Sequence, residues 1–234
     1  MPDRRPVAVF AALELEARGL AHHLPRSETI GPKIGIWEGD GMVVVVSGVG
    51  KVAAALAAQF VQDVFKPRCA VSIGLAGALR DDGPRGQVVV ATGAVQHDMD
   101  ARPLTPERGV IPGLNLSVLS VDPPLAEKLM VSAKRSVENP RIVRPGLVVT
   151  GDQIITSRPL RDALVHNFPD AACVDMETAA IAQVAHQNGL PWGAVRVTSD
   201  SADETFDLDD VIGFGANSAG ELFARIIRDA VTDL

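Results

Sequence analysis

The sequence predicts a three-layer α/β fold around a central mixed, twisted sheet. Two observations carry that expectation. Short apolar runs alternate along the chain with longer, alanine-rich segments of helical spacing. Near the start, Gly39-Asp40-Gly41 joins two β-prone runs, a hairpin signal that brings an antiparallel pair into an otherwise parallel sheet.

Taken in order, residues 7–12 read as a buried strand and 13–23 as a helix that stops before Pro25. Residues 33–38 and 42–47 flank the hairpin turn. Residues 52–65 form an alanine-rich helix, 70–74 a short buried strand, and 87–92, with 94–97 beyond, further strand. Residues 98–116 hold Pro103, Pro106 and Pro112 and read as a long loop. Residues 123–137 are a helix with Pro124 suited to its first turn. Strand 141–151, helix 159–166, strand 171–174, helix 176–188 stopped by Gly189, and strand 192–199 follow. Residues 209–232 close the chain as a long helical pattern interrupted at Gly213 and Gly215. With no repeat and no break in composition, residues 1–234 are expected to form a single domain.

Bulk properties narrow the partners. A hydrophobic content of 47% supports a sizeable core, and a net charge of −7 argues against nucleic acid or an anionic membrane surface. Cys69 and Cys173 both lie in apolar stretches and read as buried thiols, which suits a cytoplasmic setting. The apolar run after Arg5 is too short, and too soon interrupted by Glu14 and Glu16, for a signal peptide.

Chemistry is concentrated where strands end. The run Ala-Ala-Cys-Val ends in Asp175-Met176-Glu177, and the run beginning at Trp192 ends in Thr198-Ser199-Asp200. Carboxyl ends of strands form the ligand crevice of open α/β sheets. Asp175 reads as a cap for the following helix. Glu177 and Asp200 can point into one cavity, where burial would let a carboxyl hold a proton near neutral pH. Gly48-Val49-Gly50-Lys51 and Gly74-Leu75-Ala76-Gly77 read as strand-end turns, without the spacing of a Walker loop or dinucleotide fingerprint. His97-Asp98-Met99-Asp100 admits either a metal site or a ligand-shaping loop; no second His or Cys cluster accompanies it. Glu14 and Glu16, by spacing alone, are a negatively charged first helical turn.

The order of these motifs resembles the nucleoside phosphorylase superfamily. Ala-Leu-Glu-Leu-Glu is followed by Ser-Gly-Val-Gly-Lys-Val-Ala-Ala-Ala, Gly-Leu-Ala-Gly, His-Asp-Met-Asp, Thr-Gly-Asp, Val-Asp-Met-Glu-Thr-Ala-Ala and Val-Arg-Val-Thr-Ser-Asp, from residue 7 to about residue 230. The branch it resembles most is that of the 5′-methylthioadenosine/S-adenosylhomocysteine nucleosidases. The resemblance implies hydrolysis of the N-glycosidic bond of a 5′-substituted adenine nucleoside, with no cofactor and no metal, in a cytoplasmic homodimer. It implies that Glu16 activates water with help from Arg196, that Asp200 protonates the base and is oriented by Ser199, and that Glu177 binds the ribose. Met176 would pack on the sugar, with Asp175, Leu75, Ala76 and Gly77 beside it. Ile154 and Ile155 would meet the adenine, and Phe206 the base and ribose. Val49 and Pro112 would form the pocket for the 5′ group, partly across the dimer interface. Leu75 stands where the family commonly has a hydroxyl residue, and Ile154 where it has an aromatic one. These departures leave open another nucleoside (adenosylhopane, futalosine or a purine nucleoside) or a non-catalytic nucleoside binder, and Arg80, just beyond Gly74-Leu75-Ala76-Gly77, leaves open phosphorolysis.

Overall fold

The computed structural model describes residues 4–27, 34–80 and 85–232; Lys33, the first residue of the run read at 33–38, lies outside them. The elements run β1 (Val7–Ala11), α1 (Glu14–Ala21), β2 (Gly35–Gly39), β3 (Met42–Val46), α2 (Lys51–Phe65), β4 (Cys69–Ala78), β5 (Val88–Gln96), β6 (Leu119–Ser120), α3 (Pro123–Ser136), β7 (Val143–Thr150), α4 (Arg158–Asn167), β8 (Ala171–Asp175), α5 (Thr178–Gln187), β9 (Trp192–Asp200), α6 (Leu208–Phe214) and α7 (Gly220–Thr232).

The mixed sheet has helices on both sides. Side chains alternate between faces of a strand, and β1 shows the consequence. Val7, Val9 and Ala11 pack with Leu20 of α1, Leu129 of α3 and Phe223, Ile226 and Ile227 of α7. Ala8 and Phe10 pack the other way, with Ala54, Ala57 and Val61 of α2 and Ala179 and Ala182 of α5. Small alanines on α2 and α5 let these helices lie close to the strands.

The sheet order begins β2-β3-β1-β4. The β2–β3 hairpin is antiparallel, while β3 and β4 both run parallel to β1. Beyond β4 the sheet closes on itself. β4 pairs with β9, β9 with β5, β5 with β7, β7 with β8, and β8 returns to the end of β4. The closure depends on a register shift between Ala76 and Gly77. Up to that point β4 follows β9; Gly77 and Ala78 turn to pair antiparallel with Val174 and Cys173. Such irregularities bend strands and re-aim side chains beside sites.

Several elements differ from their expected bounds. Gly74-Leu75-Ala76-Gly77 is not a turn: it lies inside β4, because the bulge keeps the bent chain hydrogen-bonded on both sides. The runs read at 87–92 and 94–97 merge into one strand, β5, again with a register shift, between Ala91 and Gly93. Helix α5 starts at Thr178 rather than at residue 176, since Met176 and Glu177 leave the strand before the helix begins. The C-terminal helical pattern is continuous: Gly215–Ala219 widens to a π turn that joins α6 to α7, so the glycines do not break it. Residues 98–116 are irregular, fastened by an Ile111–Leu116 bridge. Cys69 and Cys173 are buried thiols that form no disulfide, and burial pushes the Cys173 thiol up to about 12.

Candidate active site

A cavity of about 320 Å³ opens over the ends of β1, β4, β8 and β9. Four carboxylates border it: Glu16, Glu177 and Asp200, from separate elements, and Asp175.

Glu16 sits in the first turn of α1. Leu13, at the helix N-cap, has no side-chain acceptor to offer. The Glu16 carboxylate therefore folds back, and Oε2 accepts from the amides of Ala12 and Leu13 at 3.0 and 2.9 Å. Its other oxygen, Oε1, accepts from the Leu75 amide at 2.8 Å. Burial raises its pKa, against the opposing pull of those amides and of Arg196.

Asp175 and Glu177, two residues apart, have opposite surroundings. Asp175 is saturated. Oδ1 accepts from Thr150 Oγ1 at 2.5 Å; Oδ2 accepts from the Thr178 amide at 3.1 Å, the Thr178 hydroxyl, and Arg196 Nε at 2.8 Å. Although it borders the cavity, it acts as anchor for Arg196 and for the start of α5, not as a free acceptor for a ligand. Glu177 accepts one amide, from Gly50, at 2.8 Å. Burial, and next the charge of Asp175, push its pKa up to about 8; the Gly50 amide and Arg196 pull the other way.

Arg196, 1% exposed, lies beneath the cavity floor, not on its surface. Besides Asp175 it donates to Ser72 Oγ and Thr178 Oγ1, each at 2.6 Å. Its guanidinium and the Glu16 carboxylate crowd the Cα of Gly74, where a Cβ would come within 2.9 Å of Glu16 Oε1 and collide with Arg196 Nη1. Only glycine admits this approach.

Asp200 ends β9. Ser199 Oγ donates to its Oδ2 at 2.7 Å and the Ala202 amide to its Oδ1 at 2.8 Å, which fixes the carboxyl plane. Leu75, Ala76 and Gly77 pass beside it on β4; Val49, Ile154, Ile155, Met176 and Phe206 complete the expected lining.

Pro112 is exposed and does not border this cavity within the chain, because the Ile111–Leu116 bridge holds it in its own loop. The His97–Asp100 run is divided among different partners. His97 Nε2 is buried with no hydrogen-bond partner and packs against Gly151. Asp98 binds Lys51 Nζ at 2.6 Å, and Asp100 binds Arg102 and Arg108. Among the described residues no three His, Cys, Asp or Glu side chains converge as a metal set.

Ala12, Leu13, Gln153, Val174, Leu208, Val211 and Ile212 also border the cavity, though none was expected as a site residue. The last three share one face of α6 at i, i+3, i+4 spacing, a signal legible in the sequence. Leu13, Val49, Ile154, Leu208 and Ile212 are largely exposed apolar side chains that form its rim.

A fold and site of this kind define a nucleoside-processing class, and the comparisons agree. The phosphorylase superfamily model matches residues 6–232, and the chain belongs to that superfamily. It is similar to a 5′-methylthioadenosine/S-adenosylhomocysteine nucleosidase of Staphylococcus carnosus, 32% identical over 83% of this chain and 84% of the relative. A nucleosidase of the same name from an Exiguobacterium species is 38% identical over 86% of this chain and 88% of its own. Among solved structures, the Neisseria meningitidis nucleosidase of that name, in complex with methylthio-immucillin-A, superposes with a TM-score of 0.90 at 30% identity, covering 98% of this chain and 100% of the other. Nucleosidases are N-glycosyl hydrolases. Among the described residues no helix is long and apolar enough to cross a membrane.

Proposed function

We propose that the protein hydrolyses the N-glycosidic bond of a 5′-substituted adenine nucleoside of the methylthioadenosine type. The observation that carries this is the convergence of Glu16, Glu177 and Asp200 on one cavity whose lining, among the described residues, includes no lysine or arginine. Asp200, oriented by Ser199, gives a proton to the purine N7 as the C1′–N9 bond breaks and its electron pair goes to the base. Glu177 accepts from the ribose hydroxyls and offsets the positive charge of the oxocarbenium-like sugar. Glu16, with Arg196 behind it, takes a proton from the water that adds to C1′. Met176 packs on the sugar; Ile154, Ile155 and Phe206 border the adenine.

Phosphorolysis would need a cationic cradle on the Glu16 side. Arg80 is instead turned to the carbonyls of Ala171 and Pro169. With Arg85 and Arg161 it borders a separate cavity behind Asp200, on the leaving-base side. The apolar rim favours an apolar 5′ group. Among the described residues, the rim offers an amino-acid zwitterion no charged partner. A homodimer is the proposed assembly. Val52 and Leu56 on α2 and Leu104, Leu116 and Val118 after it are exposed, and Lys51–Asp98 joins the two segments.

The test is adenine release from methylthioadenosine in phosphate-free buffer. Free 5-methylthioribose is the expected co-product; a strict phosphate requirement with a sugar 1-phosphate product would overturn hydrolysis. Tight binding without turnover of any nucleoside would make the protein a binder instead.

A further inference from the structure

Helix α2 begins without a cap of its own. Its N-cap residue is Gly50, which has no side chain to accept the first helical amides, and its φ of 97° lies where residues with a Cβ are strained. The missing acceptor comes from a distant element. The first helical amide, that of Lys51, donates to Asp152 Oδ1 at 2.8 Å. A Cβ on Gly50 would approach that same oxygen to 3.1 Å. Asp152 is held in turn: its amide donates to Asp98 Oδ2 at 3.0 Å, and Asp98 Oδ1 accepts from Lys51 Nζ at 2.6 Å. Lys51 Nζ also reaches Gln96 Oε1 at 3.2 Å. The ends of β5 and β7 and the start of α2 are thus closed into one loop of hydrogen bonds.

The neighbouring amide gives this clamp a consequence for the site. Gly50 N–H is the donor that Glu177 accepts. An N–H fixed by a turn aims only as well as the turn is held, and Asp152 holds it from the far side. Asp152 also directly precedes Gln153-Ile154-Ile155, which border the cavity.

We propose that Asp152 is a positioning residue: through Lys51 N–H it fixes the Gly50 amide on Glu177 and locks the ribose-side carboxylate to the wall formed by residues 153–155. The proposal rests on Glu177 as the ribose-binding group. It also makes Asp98 and Lys51 parts of the same device, rather than a metal site or a surface ion pair.

The test compares discrimination between methylthioadenosine and its 2′-deoxy counterpart, as a ratio of kcat/KM, in wild type, Glu177→Gln, Asp152→Ala and Asp152→Asn. In Asp152→Ala the ratio should shrink by roughly tenfold or more, the scale expected when a positioning group is displaced by about an ångström. Asp152→Asn keeps an oxygen for the Lys51 amide and should restore most of the ratio. The pH profile provides a second readout. Glu177 faces Asp175, Arg196, Glu16 and the Gly50 amide, and of these Arg196 and the amide lower its pKa. Losing the amide should therefore move the acidic limb of kcat/KM upward in Asp152→Ala. A merely structural role would lower the melting temperature and the active fraction while leaving ratio and limb in place, and that result overturns the proposal. If Asp152→Ala is insoluble, Asp152→Ser, whose hydroxyl stops short of the Lys51 amide, serves the same measurement. Should Glu177→Gln itself leave the ratio unchanged, the reading of Glu177 fails; a response in Glu177→Gln with none in Asp152→Ala removes only the role of Asp152.

Discussion

The floor and the rim of the cavity are built on opposite principles. The floor gathers Glu16, Asp175, Glu177 and Asp200 beside strand ends, with Arg196 beneath them, and gives them amides, hydroxyls and one another as partners. The rim is formed by Leu13, Val49, Ile154, Leu208 and Ile212, which carry no polar side-chain group and are largely exposed. A buried charge without partners is costly, so the floor must be over-determined. Apolar groups need no fixed geometry, so the rim can sit on a helix and loops. On the proposed function, bond breaking belongs to the floor and choice of the 5′ group to the rim.

Replacing Asp200 with Asn tests the floor most severely. The size is kept and the proton donor is lost, so turnover should fall by roughly 10²-fold or more while nucleoside binding weakens far less. A nitrophenyl riboside, whose leaving group needs no protonation, should restore turnover in Asp200→Asn but not in Glu177→Gln. Equal responses would contradict the proposed division of labour.

Glu177→Gln should lower kcat/KM by an amount corresponding to about 1.5–3 kcal/mol, from loss of the charged acceptor. Stability should move the other way. Folding raises the Glu177 pKa from 4.5 to about 8, so its ionised form disfavours the folded state. That cost is absent well below pH 4.5, grows as pH rises from there, and is fully present above about 8. Glu177→Gln should therefore melt higher than wild type above pH 8, and the two should converge near pH 4. A lower melting temperature at pH 8.5 would show that the carboxylate is satisfied rather than strained. In wild type, kcat/KM should fall as pH drops through about 8.

Gly74→Ala tests the close packing of Glu16 and Arg196 against Gly74. The added Cβ collides with the guanidinium and crowds Glu16 Oε1, for an overpacking cost of about 1–3 kcal/mol. Loss of both melting temperature and turnover is expected; an unchanged enzyme would mean the floor can shift.

The smallest effect belongs to the rim. Ile154→Phe adds an aromatic face beside the base and should lower KM by an amount worth about 0.5–1.5 kcal/mol. Methylthioadenosine should exceed adenosylhomocysteine in kcat/KM, since no charge among the described rim residues meets the zwitterion. The reverse order would indicate that groups outside this chain complete the rim.

Much of this organisation was legible in the chain. Alternation of apolar runs, the Gly39-Asp40-Gly41 turn and the alanine-rich helices are local signals of period and turn chemistry, and they determined the layers and most elements. The acids at the ends of β8 and β9 could be singled out for the same reason, because a strand end is where a polar group can leave the core. Glu16 could not: spacing made it a helix-turn charge, and resemblance alone drew it into the site. Only the tertiary structure decided that it folds back to the Leu75 amide, that Asp175 is saturated while Glu177 is not, and that Gly74 and Gly77 lie in a bent strand rather than a turn. Those outcomes depend on closure of the sheet through β4 and β9 and on amides such as Gly50, 127 positions from its acceptor. Sequence periodicity records which face a residue takes; which distant amide or guanidinium lies across from it is set when the strands close.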